Sequence, residues 1–446
     1  MHGATDFTTQ VIFGWSPMAV SLTIFLATYA LIVTEQINRS LVALIGAGLM
    51  LFAGVLHQSE AFAGVDFNTI SLLTGMMVIV AVTQKSGVFQ YIAVAAAKLV
   101  KADPWGVMMV LSLATAVFSA LLDNVTTVLL ITPVTLLITD ALKVKPYPYL
   151  VAVILSSNIG GTATLIGDPP NIMIGSAAKL TFTDFVINLA PVAVVVGLFT
   201  WLVFYLMWGR NLTAAPEDRA QVMAFNEREA ITDVRLLKQS LIVIGLVTLG
   251  FIFAHQLRQE PGTIAMFGAA VLLVLRVLGD NAEDQAHKVH KAFAEVEWIT
   301  IFFFVGLFIV VAGIEKAGVL KLLADQLVEW TRGDFQATAV LILWVSAVLS
   351  AVVDNIPFVA TMIPVIKSMG ATFDAEQMRA LWWSLALGAC LGGNGSLVGA
   401  SANLVVAGFA ERTGQPIRFI PFMLTAMPLM LASIAISHLY IYLRYF

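Results

Sequence analysis

Apolar runs long enough to cross a bilayer, about 17–25 residues in a typical helix, follow one another along this chain with short polar breaks between them. They are predicted at Ser16–Val33, Leu41–Leu56 and Ile70–Val82. Val88–Val100 is shorter and flanked by Lys85, Lys98 and Lys101, which suits an amphipathic helix lying in the interface. Trp105–Leu122 and Val125–Leu142 are separated only by Asp123-Asn124. An acid between two apolar arms predicts a re-entrant hairpin with its tip buried at membrane depth. Tyr149–Ser157 and Pro169–Ala178 bracket a glycine-rich run and read as one span broken in the middle. Phe185–Trp208 closes the first half, and Arg210–Lys238, polar with charges of both signs, reads as a solvated linker with no chemistry of its own.

The second half repeats this plan. A shift of 231 carries Gly75, Lys85, Gly87, Val88, Asp123, Asn124 and Pro133 onto Gly306, Lys316, Gly318, Val319, Asp354, Asn355 and Pro364. After one extra residue, a shift of 232 carries Gly160, Gly161, Leu165, Gly167 and Asn171 onto Gly392, Gly393, Leu397, Gly399 and Asn403. A constant offset over so many positions marks a duplication, with a first repeat at 1–209, a cytoplasmic linker at 210–238 and a second repeat at 239–446. Each repeat holds five crossings and one hairpin, so the second enters the membrane from the opposite side, giving an inverted repeat. With the N-terminus outside, sixteen of the 24 Lys and Arg fall on cytoplasmic segments, as the positive-inside rule expects. The expected fold is all-α and polytopic.

Composition agrees with that class. Of 446 residues, 59% are hydrophobic and 12% charged, where soluble proteins carry about a quarter charged residues. The single cysteine, Cys390, excludes an internal disulfide and a cysteine-cluster metal site. Met1–Gln10 lacks the basic start of a cleaved signal peptide. Neither His-Glu-x-x-His nor Gly-x-Ser-x-Gly occurs, which argues against an intramembrane hydrolase, and no enzymatic activity or nucleic-acid partner is expected.

Within this hydrocarbon, carboxylates, amides, hydroxyls and glycines gather at two matched places, and such residues usually mark the path of an ion or substrate. The candidate ion and substrate site comprises Asp123, Asn124, Thr126, Asn158, Gly160, Gly161, Thr162, Thr164 and Asn171 from the first copy. Asp354, Asn355, Gly392, Gly393, Asn394, Ser396 and Asn403 complete it from the second. The glycines let helices unwind and let backbone approach a ligand, while the hydroxyls and amides supply hard oxygen ligands. A carboxylate at mid-membrane pairs with a cation or takes up a proton, because a bare buried charge is costly. Asp123 and Asp354 are therefore the expected coupling residues, with a Na⁺ ion at Asp123/Asn124 and at Asp354/Asn355 as one form of that coupling. The plainer role for each is an N-cap of its second hairpin arm. Asp168 precedes Pro169 and has Ala400 as its counterpart, so it is read as a structural cap. Lys85 and Lys316 are read as snorkelling bases, and Cys390 as a small apolar filler.

The stretches Leu122-Asp123-Asn124-Val125-Thr126-Thr127, Gly167-Asp168-Pro169-Pro170-Asn171 and Gly388-Ala389-Cys390-Leu391-Gly392-Gly393-Asn394-Gly395 resemble the ion transporter superfamily, in the branch of the arsenite permeases and pink-eyed-dilution P proteins. In the wider superfamily of sodium–dicarboxylate and citrate carriers, the hairpin tips carry Ser-Asn-Thr where this chain has Asp123-Asn124-Val125 and Asp354-Asn355-Ile356. The resemblance implies an elevator carrier with a scaffold and a moving transport domain, often a homodimer. Acids at both tips favour proton coupling, and no Arg or Lys within the motifs balances a di- or tricarboxylate. The leading expectation is a proton-coupled carrier exporting a small inorganic solute such as arsenite or antimonite across a bacterial inner membrane, without a cofactor. A Na⁺/H⁺ antiporter, an anion channel and a Na⁺-coupled di- or tricarboxylate carrier are the alternatives, and a soluble ATPase is a candidate partner.

Overall fold

The structure, a computed structural model, describes residues 11–34 and 36–446, so the reading of Met1–Gln10 lies outside the described residues. Helices dominate, and no strand occurs among the described residues. The first half contains α1 (Pro17–Thr34), α2 (Arg39–Phe52), α3 (Phe67–Gln84), α4 (Val88–Leu99), α5 (Pro104–Leu121), α6 (Asn124–Ala141), α7 (Tyr147–Thr162), α8 (Pro169–Ala178) and α9 (Phe182–Met207). The second contains α10 (Val234–Ile252), α11 (Pro261–Val277), α12 (Trp298–Lys316), α13 (Val319–Trp330), α14 (Phe335–Val352), α15 (Asn355–Ser368), α16 (Ala375–Gly392), α17 (Ser401–Arg412) and α18 (Phe419–Tyr445). Nine helices among the described residues are long and apolar enough to cross a membrane.

Local chemistry sets these boundaries. Asp103 and Asp334 cap the first arms of the two hairpins, and Asp123 and Asp354 cap the second arms, each carboxylate accepting an N–H of the first turn. Pro133 and Pro364 lie at matched positions inside α6 and α15. Gly87 and Gly318 turn the chain from α3 into α4 and from α12 into α13, both with φ near +80° (79° and 82°), a region that favours glycine. α4 buries Phe89, Ala93, Val94 and Ala97 on one face, in keeping with an amphipathic helix.

Packing repeats as well. α2 lies against α12 and α11 lies against α3. At these crossings a methyl on Gly306 would meet the Ala43 carbonyl carbon at 2.6 Å, and one on Gly75 would meet that of Ala265 at 2.6 Å. The hairpin arm α5 packs on α7 as α14 packs on α16. α7 and α16 lie at the centre, with Tyr149–Thr162 and Ala380–Gly392 buried throughout. A helix buried on all sides is one with no solvent or lipid face. The outer helices instead expose large apolar groups such as Val194, Phe267 and Leu424, which lipid solvates without penalty.

The stretch Arg210–Lys238 is more than a linker. Pro216–Met223 is helical, Val222 is fully buried, and α10 already begins at Val234. Two of its five acids find bases on the first hairpin and its neighbour: Asp218 pairs with Lys143 at 2.7 Å and Glu227 with Lys98 at 2.6 Å. Charges of both signs that read as a solvated face along the chain are here in part matched across space.

Candidate functional site

Both spans expected to break do so, at 163–168 and 393–400, and both breaks are buried almost throughout. Asn158 of α7 joins them. Its Nδ2 donates to Asn394 Oδ1 and to Asn403 Oδ1, each at 2.9 Å, and its own Oδ1 accepts from Asn124 Nδ2 at 3.1 Å. One fully buried amide thus ties the first hairpin tip to the second broken helix. Cys390 holds the repeat position of Asn158, and its thiol lies 3.4 Å from Asn171 Oδ1 in the other copy.

Each break is held open by its own side chains. Asn171 Nδ2 donates to the carbonyls of Gly161, Thr162 and Thr164, and Asn403 Nδ2 to those of Gly393 and Ser396. The Thr164 hydroxyl donates to Ala120 O and the Ser396 hydroxyl to Ala351 O, each at 2.6 Å. Ser119 and Ser350 pin the hairpins to Ser157 O and Ala389 O in the same manner. The hydroxyls expected to line a solute path thus also fasten backbone, and Thr162 bonds Asn158 O one turn back. Unwound carbonyls in a low-dielectric interior need donors, and these side chains are the nearest ones. The glycines serve close approach: a methyl on Gly160 would fall 2.1 Å from Ala116 O, and one on Gly392 2.6 Å from Ala347 O. Gly161 faces Gly167 as Gly393 faces Gly399.

The two matched acids differ in their partners. Asp123 is 5% exposed and accepts from Thr126, through the backbone N–H at 2.8 Å and the hydroxyl at 2.5 Å. Among the described residues, no cation meets it. Beside it, Asn124 Oδ1 and Thr127 Oγ1 are buried without hydrogen-bond partners. An anionic oxygen next to two uncommitted neutral oxygens fits a hard cation. Asp354 instead accepts from Arg39 Nη1 at 2.8 Å and from Ser401 Oγ at 2.7 Å, besides capping Ile356 N at 3.0 Å. With a guanidinium already on that carboxylate, the pair Asp354/Asn355 does not fit a sodium ion in this arrangement.

Asp168 departs from the role read for it. It stands at the N-cap of α8 with extended backbone, but its side chain makes no capping bond. The carboxylate is fully buried and faces Asn355 Nδ2 at 3.3 and 3.4 Å. With prolines at the first two positions of α8, the first available N–H is that of Asn171, which donates to the Asp168 backbone carbonyl at 2.9 Å, and the carboxylate turns to the opposite hairpin tip. Three carboxylates and one arginine therefore stand in this buried assembly. Arg39 and Ser401 were missed at the level of sequence. The available signals were a lone base between two spans and a hydroxyl at the start of α17.

The sequence profile of the "Citrate transporter" family matches residues 29–388. An uncharacterized transporter of Mycobacterium tuberculosis is 44% identical, covering 96% of this chain and 99% of its own length. The P protein of Mus musculus is 33% identical over 95% of this chain, which spans 60% of that longer protein. Among solved structures, the YdaH transporter of Alcanivorax borkumensis shares the fold, with a TM-score of 0.59, 14% identity and coverage of 96% of this chain and 98% of that one.

Proposed function

From the premise that this chain belongs to the citrate transporter family of secondary transporters, we propose that it is a cation-coupled carrier whose two repeats insert in opposite senses and hold cargo between their hairpin tips. The observation that carries the reading is the Asn158–Asn394–Asn403 junction, which joins the first hairpin tip to both broken helices, while Asn355 of the second tip meets Asp168 and the neighbouring Asp354 holds Arg39. Three carboxylates here stand against one guanidinium, and such an excess of buried negative charge needs cations or protons before the assembly is stable in lipid.

Ion pairs support the opposed insertion. Lys85–Glu295, Lys98–Glu227 and Lys143–Asp218 join segments expected on the cytoplasmic side. Lys316–Glu60 and Arg379–Asp184 join segments expected outside. Only Arg39–Asp354 joins a cytoplasmic end to a tip entering from outside, which requires that tip to reach deep. A cavity of about 280 Å³ on the Arg39 side touches Val125 beside the first tip and Ser401 beside the second. The matching cavity on the opposite face, lined by Asn68, Ile172 and Pro261, touches no residue of either hairpin. That inequality supports a carrier open to one side, as alternating access by an elevator movement requires.

Asp123, Asn124 and Thr127 would hold the coupling cation, either a proton on the carboxylate or Na⁺ on all three oxygens. With one guanidinium against three acids, the cargo that fits best is neutral and hydroxylated, such as arsenite or antimonite as the undissociated acid. A second reading is favoured by Arg39, since a guanidinium recognises carboxylates: a citrate-like anion carried with two or more cations. Reconstituted liposomes tested with arsenite, citrate, Na⁺ and chloride, with and without a pH gradient, separate these. Saturable counterflow of arsenite that follows the gradient is expected; uncoupled current would refute a carrier, and counterflow of citrate alone would move the assignment to the second reading.

A further inference from the structure

The repeat makes Asp123 and Asp354 equivalent along the chain, yet among the described residues only Asp354 meets a cation from the protein itself. The matched crossings of Gly306 on Ala43 and Gly75 on Ala265 align α2 with α11, so the counterpart of Arg39 is Pro261. An arginine at this place thus serves one acid only. It is also anchored away from the hairpin it touches. Its guanidinium lies over the Phe303 ring at 5.0 Å, on α12, and α2 and α12 are in backbone contact at Gly306. The same corner grips the second hairpin once more, where Tyr29 Oη donates to Pro357 O at 2.7 Å and meets Thr361 Oγ1 at 2.7 Å. Among the described residues, no side-chain hydrogen bond joins α10 or α11 to the first hairpin.

We propose that Arg39 is a tethered cation that takes the place of the coupling ion on Asp354 when the carrier faces the Arg39 side. Arginine cannot give up its charge in a protein, so while it holds Asp354 a second cation there meets repulsion rather than attraction. The pair is partly buried (side chains 26% and 11% exposed), where breaking it leaves an uncompensated charge. When the hairpin moves away from α2, Asp354 loses the guanidinium and becomes a site for the transported cation. On return, Arg39 displaces that cation into the cavity that Arg39, Ser401 and Glu297 line. Release from Asp354 is thereby tied to one side of the membrane, while Asp123, with no such competitor, binds and releases its cation without a tethered rival. The inference rests on the carrier reading given above.

Two measurements test it. In liposomes, Arg39→Gln is expected to tighten the apparent affinity for the driving cation on the Arg39 side by about tenfold and to slow net flux more than exchange, while Arg39→Lys stays near wild type. An unchanged cation affinity in Arg39→Gln overturns the proposal. The second needs no solute. A reporter cysteine, Leu404→Cys, lines the same cavity, and the native Cys390 is fully buried. Labelling by a membrane-impermeant maleimide from that side is expected to slow about threefold or more in Arg39→Gln and in Asp354→Asn, with the double variant no slower than either. Equal labelling in all four proteins, each monodisperse in detergent, overturns it. Wild-type liposomes that pass no solute would count against the carrier reading alone, and the labelling rates would then decide the role of Arg39.

Discussion

Asp123, Asp168 and Asp354 are three aspartates at the starts of helices, and the structure gives each a different chemistry. Among the described residues, Asp123 caps α6 without a basic partner, Asp354 caps α15 and holds Arg39, and the Asp168 side chain makes no cap and faces Asn355. Asn is as good an N-cap as Asp, so Asp123→Asn is expected to melt within a few degrees of wild type (about 1 kcal/mol or less) while losing gradient-driven flux. Retained coupled flux would remove Asp123 from the mechanism. Asp168→Ala copies the second repeat, which has Ala400 there. A mere cap would tolerate that change in function; with its carboxylate facing the opposite hairpin tip, loss of coupled flux without loss of folding is expected, read by liposome transport and by melting in detergent. The matched acids were legible from the repeat alone. Arg39 was not, because its partner lies 315 residues away and no local pattern links them.

Helical hairpins, broken helices and the short amphipathic helices were legible as elements because each follows from local chemistry. An acid between apolar arms, glycines inside a span, and a short run flanked by lysines leave few alternatives in lipid. The jobs of the residues inside the breaks were less legible. Thr164 and Ser396 look like ligands in a list of polar residues, but each fastens its loop to a hairpin carbonyl. Gly160 and Gly392 look like places for a ligand to approach, but neighbouring backbone already occupies that space. Gly160→Ala and Gly392→Ala are therefore each expected to destabilise by about 1–3 kcal/mol, since a carbonyl on a packed helix cannot swing aside. Gly408 on α17 has nothing within 4 Å of an added methyl; Gly408→Ala is expected to be neutral or stabilising by about 0.5 kcal/mol. Thermal unfolding of the three variants in one detergent checks the order.

Across the whole molecule, the halves are stitched at both faces by related ion pairs, Lys85 with Glu295 on one and Lys316 with Glu60 on the other. Lys316 and the His57 backbone N–H hold the Glu60 carboxyl below its usual range. A carboxyl lowered by folding contributes stability above its unfolded pKa and loses it as pH falls through the folded one. The Glu60 link is thus expected to be intact at neutral pH and to fade below the ordinary carboxylate range. As a largely solvated pair it is worth well under about 1 kcal/mol, so Glu60→Gln should lower the melting temperature slightly at pH 7 and not at all under strongly acidic conditions. A shift of equal size at both pH values would assign the effect to packing.

The sequence by itself determined the class, the repeat, the order of helices and the two places where polar residues gather. Those follow from hydrophobic length, from glycine and proline placement, and from an offset constant enough to read by eye. Only the tertiary structure decided which acid keeps company with a base, which hydroxyls are already committed to backbone, and that Asp168 belongs to the opposite hairpin. Spans and breaks are set by short-range preferences, whereas charge pairing at depth depends on which distant helix ends the packing brings together, and an arginine between two spans carries no local sign of the carboxylate it will meet.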